Sequence, residues 1–456
     1  MNSRIHFIAI GGALMHNLAI ALHQKGDRVS GSDDEIYDPS RGRLLQYGLL
    51  PEKMGWDADR ITTDIDIIIL GMHAKKDNPE LQRALELGIP VFSYPAFLYE
   101  QSKNKIRVVV GGSHGKTSTT SMIMHALRVL GVEHDYAVGA QLEGFDCMVR
   151  ISDAPIIVIE GDEYLSSPLD HRSKFIHYKP HIAILTGIAW DHINVFPDFE
   201  LYVAQFKAFI ERIEPNGSLI YFKSDSILRK LVKKCNVRSM GYDTPTFKID
   251  NDRSVSVNFP LLLEHAQRWF PLKIFGAHNL QNLEAARHVI KELGFSDVDF
   301  LSAMSTFEGA SKRLEKVAET DDGRIVFKDF AHAPSKVKAT VKAVKKQFKG
   351  ETLIAFLELH TFSSLNKNFL RHYKKTMKHA DIAIVYYDQH TLDMKKMEDL
   401  DIDYVKRCFA HPNMLSINDR EILADIAHQI TNHTKGNVLL MSSGNWSGID
   451  LVSIVS

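Results

Sequence analysis

Short aliphatic runs recur along the chain, each followed by glycine or acidic residues and then by apolar positions at helical spacing. Val108, Val109 and Val110 form one such run, the mark of a buried strand. Gly111, Gly112 and Gly115 follow, and Met122, Ile123, Ala126, Leu127 and Leu130 then share one face of a predicted helix. The chain opens the same way: a strand from Ile5 to Ile10 feeds Gly11-Gly12 and an apolar helix around Leu14–Leu22. A second strand ends at Val29-Ser30-Gly31-Ser32-Asp33, a third covers Ile65–Leu70, and Asn78-Pro79-Glu80 starts another helix. Ile156–Ile159, Ile182–Leu185 and Ser218–Phe222 predict further strands, the last set up by the Pro215-Asn216-Gly217 turn. Residues 240–275 alternate apolar and polar, which predicts antiparallel strands. Gly276-Ala277-His278-Asn279 opens a helix through Asn282, Ala285 and Ala286, and Asn279 either caps it or touches a base, the residue type favouring the cap. Ile325–Phe327, Leu353–Leu357, Ile382–Tyr386 and Val438–Met441 alternate with helical stretches and predict a second doubly wound sheet, the lysines at 336–349 forming a solvated helix face.

The fold class is therefore α/β. With 456 residues the chain exceeds one ordinary core, and three domains are expected, over 1–104, 105–312 and 313–456. The first and last read as Rossmann-like and the middle one as a mostly parallel, nucleotide-loop sheet. A formal charge of −1 gives no support to nucleic acid or an anionic membrane as partner. Cys147, Cys235 and Cys408 lie far apart, against a disulfide framework or zinc knuckle, and a reducing cytoplasm fits them. The N-terminus reads as a first strand rather than a leader, and no apolar run approaches the ~20 residues of a membrane helix.

Strand, glycine loop and helix N-terminus together aim backbone N–H groups at a phosphate chain. In that frame Lys116 reaches the terminal phosphates and the Thr117 hydroxyl ligates magnesium, although Val110 stands where the strict nucleotide-loop pattern wants glycine. Glu160-Gly161-Asp162-Glu163 and Trp190-Asp191-His192 end two neighbouring strands, where α/β sheets hold ligands, so Glu160 and His192 are candidate metal ligands or ligand orienters. Ser442-Ser443-Gly444-Asn445 is another strand-end loop with anion-binding potential. At the N-terminal turn, Ala9-x-Gly11-Gly12-x-x-Met15 lacks the third glycine of a nicotinamide site, although Asp33 sits where a dinucleotide fold bonds a ribose.

These residues resemble the Mur ligase family, the ATP-dependent amide-forming enzymes of peptidoglycan assembly. The likeness rests on Gly112-Ser113-His114-Gly115-Lys116-Thr117, Glu160 to Glu163, Asp191-His192, Gly276 to Asn282, Arg313 with Glu315, and Asp329 to Pro334, in order. It implies that Gly112 to Ser118, with Lys116 central, bind ATP phosphates and that Thr117 and Glu160 hold one magnesium ion. It implies that His192 holds a second, and that Asn279, Arg313, Asp329 and His332 contact the nucleotide. Some relatives use a carbamylated lysine at the second metal, and Leu201–Gln205 offers no lysine to match it. The N-terminal turn resembles that of members taking UDP-N-acetylmuramate, which implies Gly11, Gly12, Met15, Ser32 and Asp33 as its contacts.

Two amine acceptors remain open within the family: a tripeptide, L-alanyl-γ-D-glutamyl-meso-diaminopimelate, or L-alanine. Asp170–Tyr178, Ile36–Ser40 and Met441–Gly448 are similar to stretches of the tripeptide-using members, and Ala333 stands where alanine-using members carry a second histidine. Arg172, Lys174 and His360 are the candidate peptide contacts. Ala9 replaces a usual glycine, which is expected to crowd the pyrophosphate, and Glu358-Leu359-His360-Thr361 departs from the family pattern. A monomer or weak homo-oligomer is expected. The rivals from other classes are an inactive UDP-sugar sensor and a nicotinamide oxidoreductase.

Overall fold

Ile106–Gly111, carrying the fully buried Val108, Val109 and Val110, is the central strand of a seven-stranded sheet. The computed structural model describes residues 3–142, 144–191, 193, 195–258 and 269–456. In that sheet the order is Arg238–Tyr242, Ser218–Phe222, Ile182–Leu185, Ile106–Gly111, Ile156–Glu160, His134–Ala137 and Val149–Arg150. All neighbours are parallel except the last pair. Parallel pairing buries both faces, which is why these strands read as unbroken aliphatic runs.

The described chain divides into two units. The first runs to Ile188 and takes in Glu200–Tyr242 and Ala285–Phe300; the second comprises Ala189–Phe199, Asp243–Glu284 and Leu301–Ser456. Besides the seven-stranded sheet, the first unit holds a four-stranded parallel sheet ordered Arg28–Ser32, Arg4–Ile8, Ile67–Leu70 and Val91–Ser93. Arg107 fastens the segment linking the two sheets. Its guanidinium donates to the carbonyls of Ser102 and Lys103 on one side and of Tyr178 and Lys179 on the other, and pairs with Glu214 at 2.8 Å.

The second unit contains an antiparallel sheet of Thr246–Ile249, Val255–Asn258 and Trp269–Leu272. The alternation expected from residue 240 thus begins at Thr246, because residues 240–242 finish a parallel strand. Its larger sheet has the order Glu315–Glu319, Ile325–Asp329, Asn437–Met441, Leu353–Leu359, Ile382–Tyr387 and Met414–Ile417, parallel beyond the first pair. Among the described residues no helix is long and apolar enough to cross a membrane.

Candidate active site

The loop after Ile106–Gly111 is shaped by one glycine above all. Gly112 has φ +134°, and a Cβ there would lie 2.1 Å from Thr186 Oγ1. The Thr186 hydroxyl spans the turn, donating to the carbonyls of Gly111 and His114, and Ser113 N–H donates to Gly187 O at 2.9 Å. Gly115, at φ +80°, then caps the helix Lys116–Val129. Lys116 and Thr117 therefore occupy the first helical positions, where the dipole favours an anion.

Both side chains meet the acidic strand end. The Thr117 hydroxyl donates to Glu160 Oε1 at 2.7 Å, and Gly139 N–H donates to Glu160 Oε2 at 3.1 Å. Adjacent ligands of an octahedral magnesium ion bound at about 2.1 Å lie ~3 Å apart, so these two hard oxygens fit neighbouring corners of such a shell. Lys116 Nζ donates to Gly112 O at 2.9 Å and to Glu163 Oε2 at 2.7 Å. Burial opposes the lysine charge, but the fields of Glu163 and Asp162 and the Glu163 hydrogen bond outweigh it and hold the ammonium above its ordinary range. Ser118, in the first turn of that helix, is buried.

At the N-terminal turn, Gly11 N–H donates to Asp33 Oδ2 at 2.8 Å. Burial pushes the Asp33 carboxyl up to about 6, with the Gly11 hydrogen bond opposing. Met15 is buried under Gly12. Ser32 is fully buried and its hydroxyl donates to Glu80. Arg172 forms a close pair with Asp170 through Nε and Nη2, and Lys174 lies 3.5 Å from Asp162.

In the second unit, Asn279 and Arg313 line one cavity of about 280 Å³ with Phe275, Phe327 and Phe348. Asn279 lies inside the helix Ala277–Glu292, and its amide donates to Phe275 O at 3.0 Å. It is therefore not the cap expected from sequence, because Gly276, at φ +90°, lets the helix begin before it. Asp329 ends its strand and accepts from Leu314 N–H at 2.6 Å and Ala331 N–H at 2.7 Å. Burial raises its pKa, with Arg313 and these N–H groups opposing. The His332 ring lies 3.9 Å from Asp191 Oδ2, which Lys336 Nζ approaches to 3.4 Å. Lys336 therefore departs from the solvated face expected for its helix. His360 opens onto a groove of about 760 Å³ lined also by Asp388, His390, Thr391 and Arg420.

Residues 110–290 match the Mur ligase middle domain and residues 4–105 the catalytic domain of the Mur ligase family. The UDP-N-acetylmuramate–L-alanine ligase of Clostridium kluyveri is 31% identical over 378 residues, covering 81% of this chain and 80% of its own. The chain belongs to the Mur ligase family. The UDP-N-acetylmuramate–L-alanyl-γ-D-glutamyl-meso-2,6-diaminoheptandioate ligase of Haemophilus influenzae is 29% identical, covering 98% of this chain and 97% of its own. The murein peptide ligase structure from Psychrobacter arcticus superposes with a TM-score of 0.68, covering 100% of this chain and 99% of its own at 24% identity, and shares the Mur ligase fold. Of the residues the Mur ligase resemblance implied, Gly112, Lys116, Thr117 and Glu160 come together in the first unit, and Asn279 with Arg313 in the second. His192 lies outside the described residues. Sequence reasoning missed Tyr202, whose hydroxyl lies 2.7 Å from Ser113 Oγ and donates to Glu163 at 3.0 Å. A tyrosine on an amphipathic helix reads as core, so no local signal marks it.

Proposed function

We propose that this Mur ligase joins the lactyl carboxylate of UDP-N-acetylmuramate to the amine of L-alanyl-γ-D-glutamyl-meso-diaminopimelate, with ATP and magnesium, in the cytoplasm. The observation that carries it is the convergence of Lys116, the Thr117 hydroxyl and Glu160 at two strand tips. An amide forms from a carboxylate only through a better leaving group than oxide. The carboxylate takes the γ-phosphoryl group from ATP, giving an acyl phosphate and ADP, and the neutral amine then attacks and expels phosphate. Two anions meet in the first step, and Lys116 offsets their repulsion. Thr117 and Glu160 would hold a magnesium ion that neutralises phosphate charge, with His192 proposed for a second. Gly112 to Ser118 would cradle the phosphates, and Asn279, Arg313, Asp329 and His332 would contact the nucleotide.

Residues 1–104 would hold the sugar nucleotide, through Gly11, Gly12, Met15 and Asp33. Residues 105–312 would hold ATP and 313–456 the acceptor, in the groove beside His360. That groove offers room for more than one amino acid and is lined by an acidic side chain, Asp388, and a basic one, Arg420. The match to the Haemophilus relative over 98% of this chain supports the tripeptide. The Clostridium relative supports L-alanine as the second reading. Purified enzyme with UDP-N-acetylmuramate should release ADP far faster with tripeptide than with L-alanine, and the reverse preference would select the second reading. Lys116→Ala should abolish ligation without unfolding the chain; retained turnover would refute the loop assignment.

A further inference from the structure

The ammonium of Lys116 has three N–H bonds to give. Gly112 O and Glu163 Oε2 take two of them, at 2.9 and 2.7 Å. Glu163 is fully buried, and its second oxygen accepts from the Tyr202 hydroxyl at 3.0 Å. Because the tyrosine proton goes to the carboxylate, the Ser113 hydroxyl, 2.7 Å from the same oxygen, donates to Tyr202. Ser113 and Lys116 belong to one loop, so the path Ser113–Tyr202–Glu163–Lys116 closes on itself. Its two outside members come from different elements: Tyr202 from the helix Phe199–Ile210 and Glu163 from the turn after Ile156–Glu160.

A buried ammonium–carboxylate pair adds little net stability, since desolvation consumes most of the Coulomb gain, so stability alone does not account for this arrangement. Nor does packing need the hydroxyl. The Tyr202 ring meets Phe206 edge-on at 5.2 Å, a contact phenylalanine would keep. What the ring of bonds does is fix a long, flexible side chain. A lysine stem left unrestrained carries rotamer entropy that must be lost when it meets the phosphate.

We propose that Tyr202 and Glu163 are positioning residues for phosphoryl transfer, holding two donors of Lys116 so that the third is presented to the transferring phosphate. The inference rests on Lys116 being the phosphate ligand. The test compares Tyr202→Phe, Glu163→Gln and Lys116→Ala in the full-length enzyme with UDP-N-acetylmuramate and acceptor saturating. It reads kcat, KM for ATP, affinity for a non-hydrolysable ATP analogue, and Tm. Tyr202→Phe should lower kcat about tenfold with analogue affinity within about threefold, and Glu163→Gln should lower kcat about a hundredfold. A Tyr202→Phe kcat within about twofold of the parent overturns the proposal. So does an equal loss of kcat and analogue affinity, which would make the hydroxyl a part of nucleotide binding rather than of lysine alignment. Should Glu163→Gln fail to fold, Tyr202→Phe decides alone. Turnover retained by Lys116→Ala would instead remove the reading beneath the proposal, a result separate from either Tyr202→Phe outcome.

Discussion

Two strand–glycine–helix turns sit in the first unit, and they are braced in opposite ways. At the N-terminal turn the Gly11 N–H already has an anionic partner, the buried Asp33 carboxylate at 2.8 Å. At the central loop the nearest carboxylates bind the loop's own side chains, Glu163 taking Lys116 and Glu160 taking Thr117. Backbone geometry alone therefore does not make an anion site. The central loop adds a cation and a hydroxyl to its N–H groups, whereas the N-terminal turn carries a carboxylate that a diphosphate bound there would have to meet. That difference matches the division of labour proposed above: phosphate chemistry at one turn, recognition of a sugar nucleotide at the other.

The sharpest way to break this contrast is to put a methyl group on each turn. In Gly112→Ala the new Cβ meets Thr186 Oγ1 at 2.1 Å and Thr186 N at 3.0 Å, at a φ that alanine disfavours. Expected are a stability loss of about 3 kcal/mol or more and loss of ATP turnover, read by thermal unfolding and ADP release. In Gly12→Ala the backbone is at φ −57°, and the nearest atom, Met15 Cγ, is 3.3 Å away and flexible. The loss there should stay under about 1 kcal/mol. Equal losses in the two variants would mean that the turns are not differently constrained.

A second, smaller effect probes the carboxylate beneath the N-terminal sheet. Glu80 is fully buried and accepts from the Ser32 hydroxyl, Asp57 N–H at 2.9 Å and Arg60 Nη1 at 3.3 Å, with His6 Nε2 3.4 Å away. Burial works against its charge, but His6, Ser32 and the Asp57 N–H outweigh it and hold the pKa below the ordinary 4.5. A depressed carboxylate contributes stability above its unfolded value and loses it as pH falls through the folded one. Glu80→Gln should therefore destabilise by about 3 kcal/mol at pH 7, with the gap to the parent closing as pH falls below about 4.5. A gap that stays constant from pH 7 to pH 3 would show that the charge contributes nothing.

Much of this was legible in the residues. The valine run, the glycines and Gly-Lys-Thr-Ser announced the central strand, loop and helix, because parallel strands and phosphate loops leave local signatures. The edge strand Glu315-Lys316-Val317-Ala318-Glu319 did not: it pairs on one side only and exposes Lys316 and Glu319, so it reads as surface. Partners distant in sequence were equally silent. Glu80 and Ser32 lie 48 positions apart and Tyr202 and Glu163 lie 39 apart, joined only once helices and strands have packed. Of the two roles open to Asn279, the cap falls: an asparagine near a helix start is usually a cap, but Gly276 at φ +90° lets this helix start at Ala277.

The smallest effect concerns Ala9, expected from sequence to crowd a pyrophosphate. It sits at φ +69°, where an L-residue costs about 1 kcal/mol relative to glycine. Its methyl is buried, however, and faces Gly71, where an added Cβ would come within 2.9 Å of it. The side chain thus fills space under the sheet rather than over the turn. Ala9→Gly relieves the backbone but gives up a buried methyl worth about 0.8 kcal/mol and adds freedom to the unfolded chain worth about 0.5 kcal/mol or more. The terms nearly cancel, so Tm should move by no more than a few degrees and KM for UDP-N-acetylmuramate should stay within about twofold. A tenfold fall in that KM would place the methyl in the ligand's path and reverse the account of this turn.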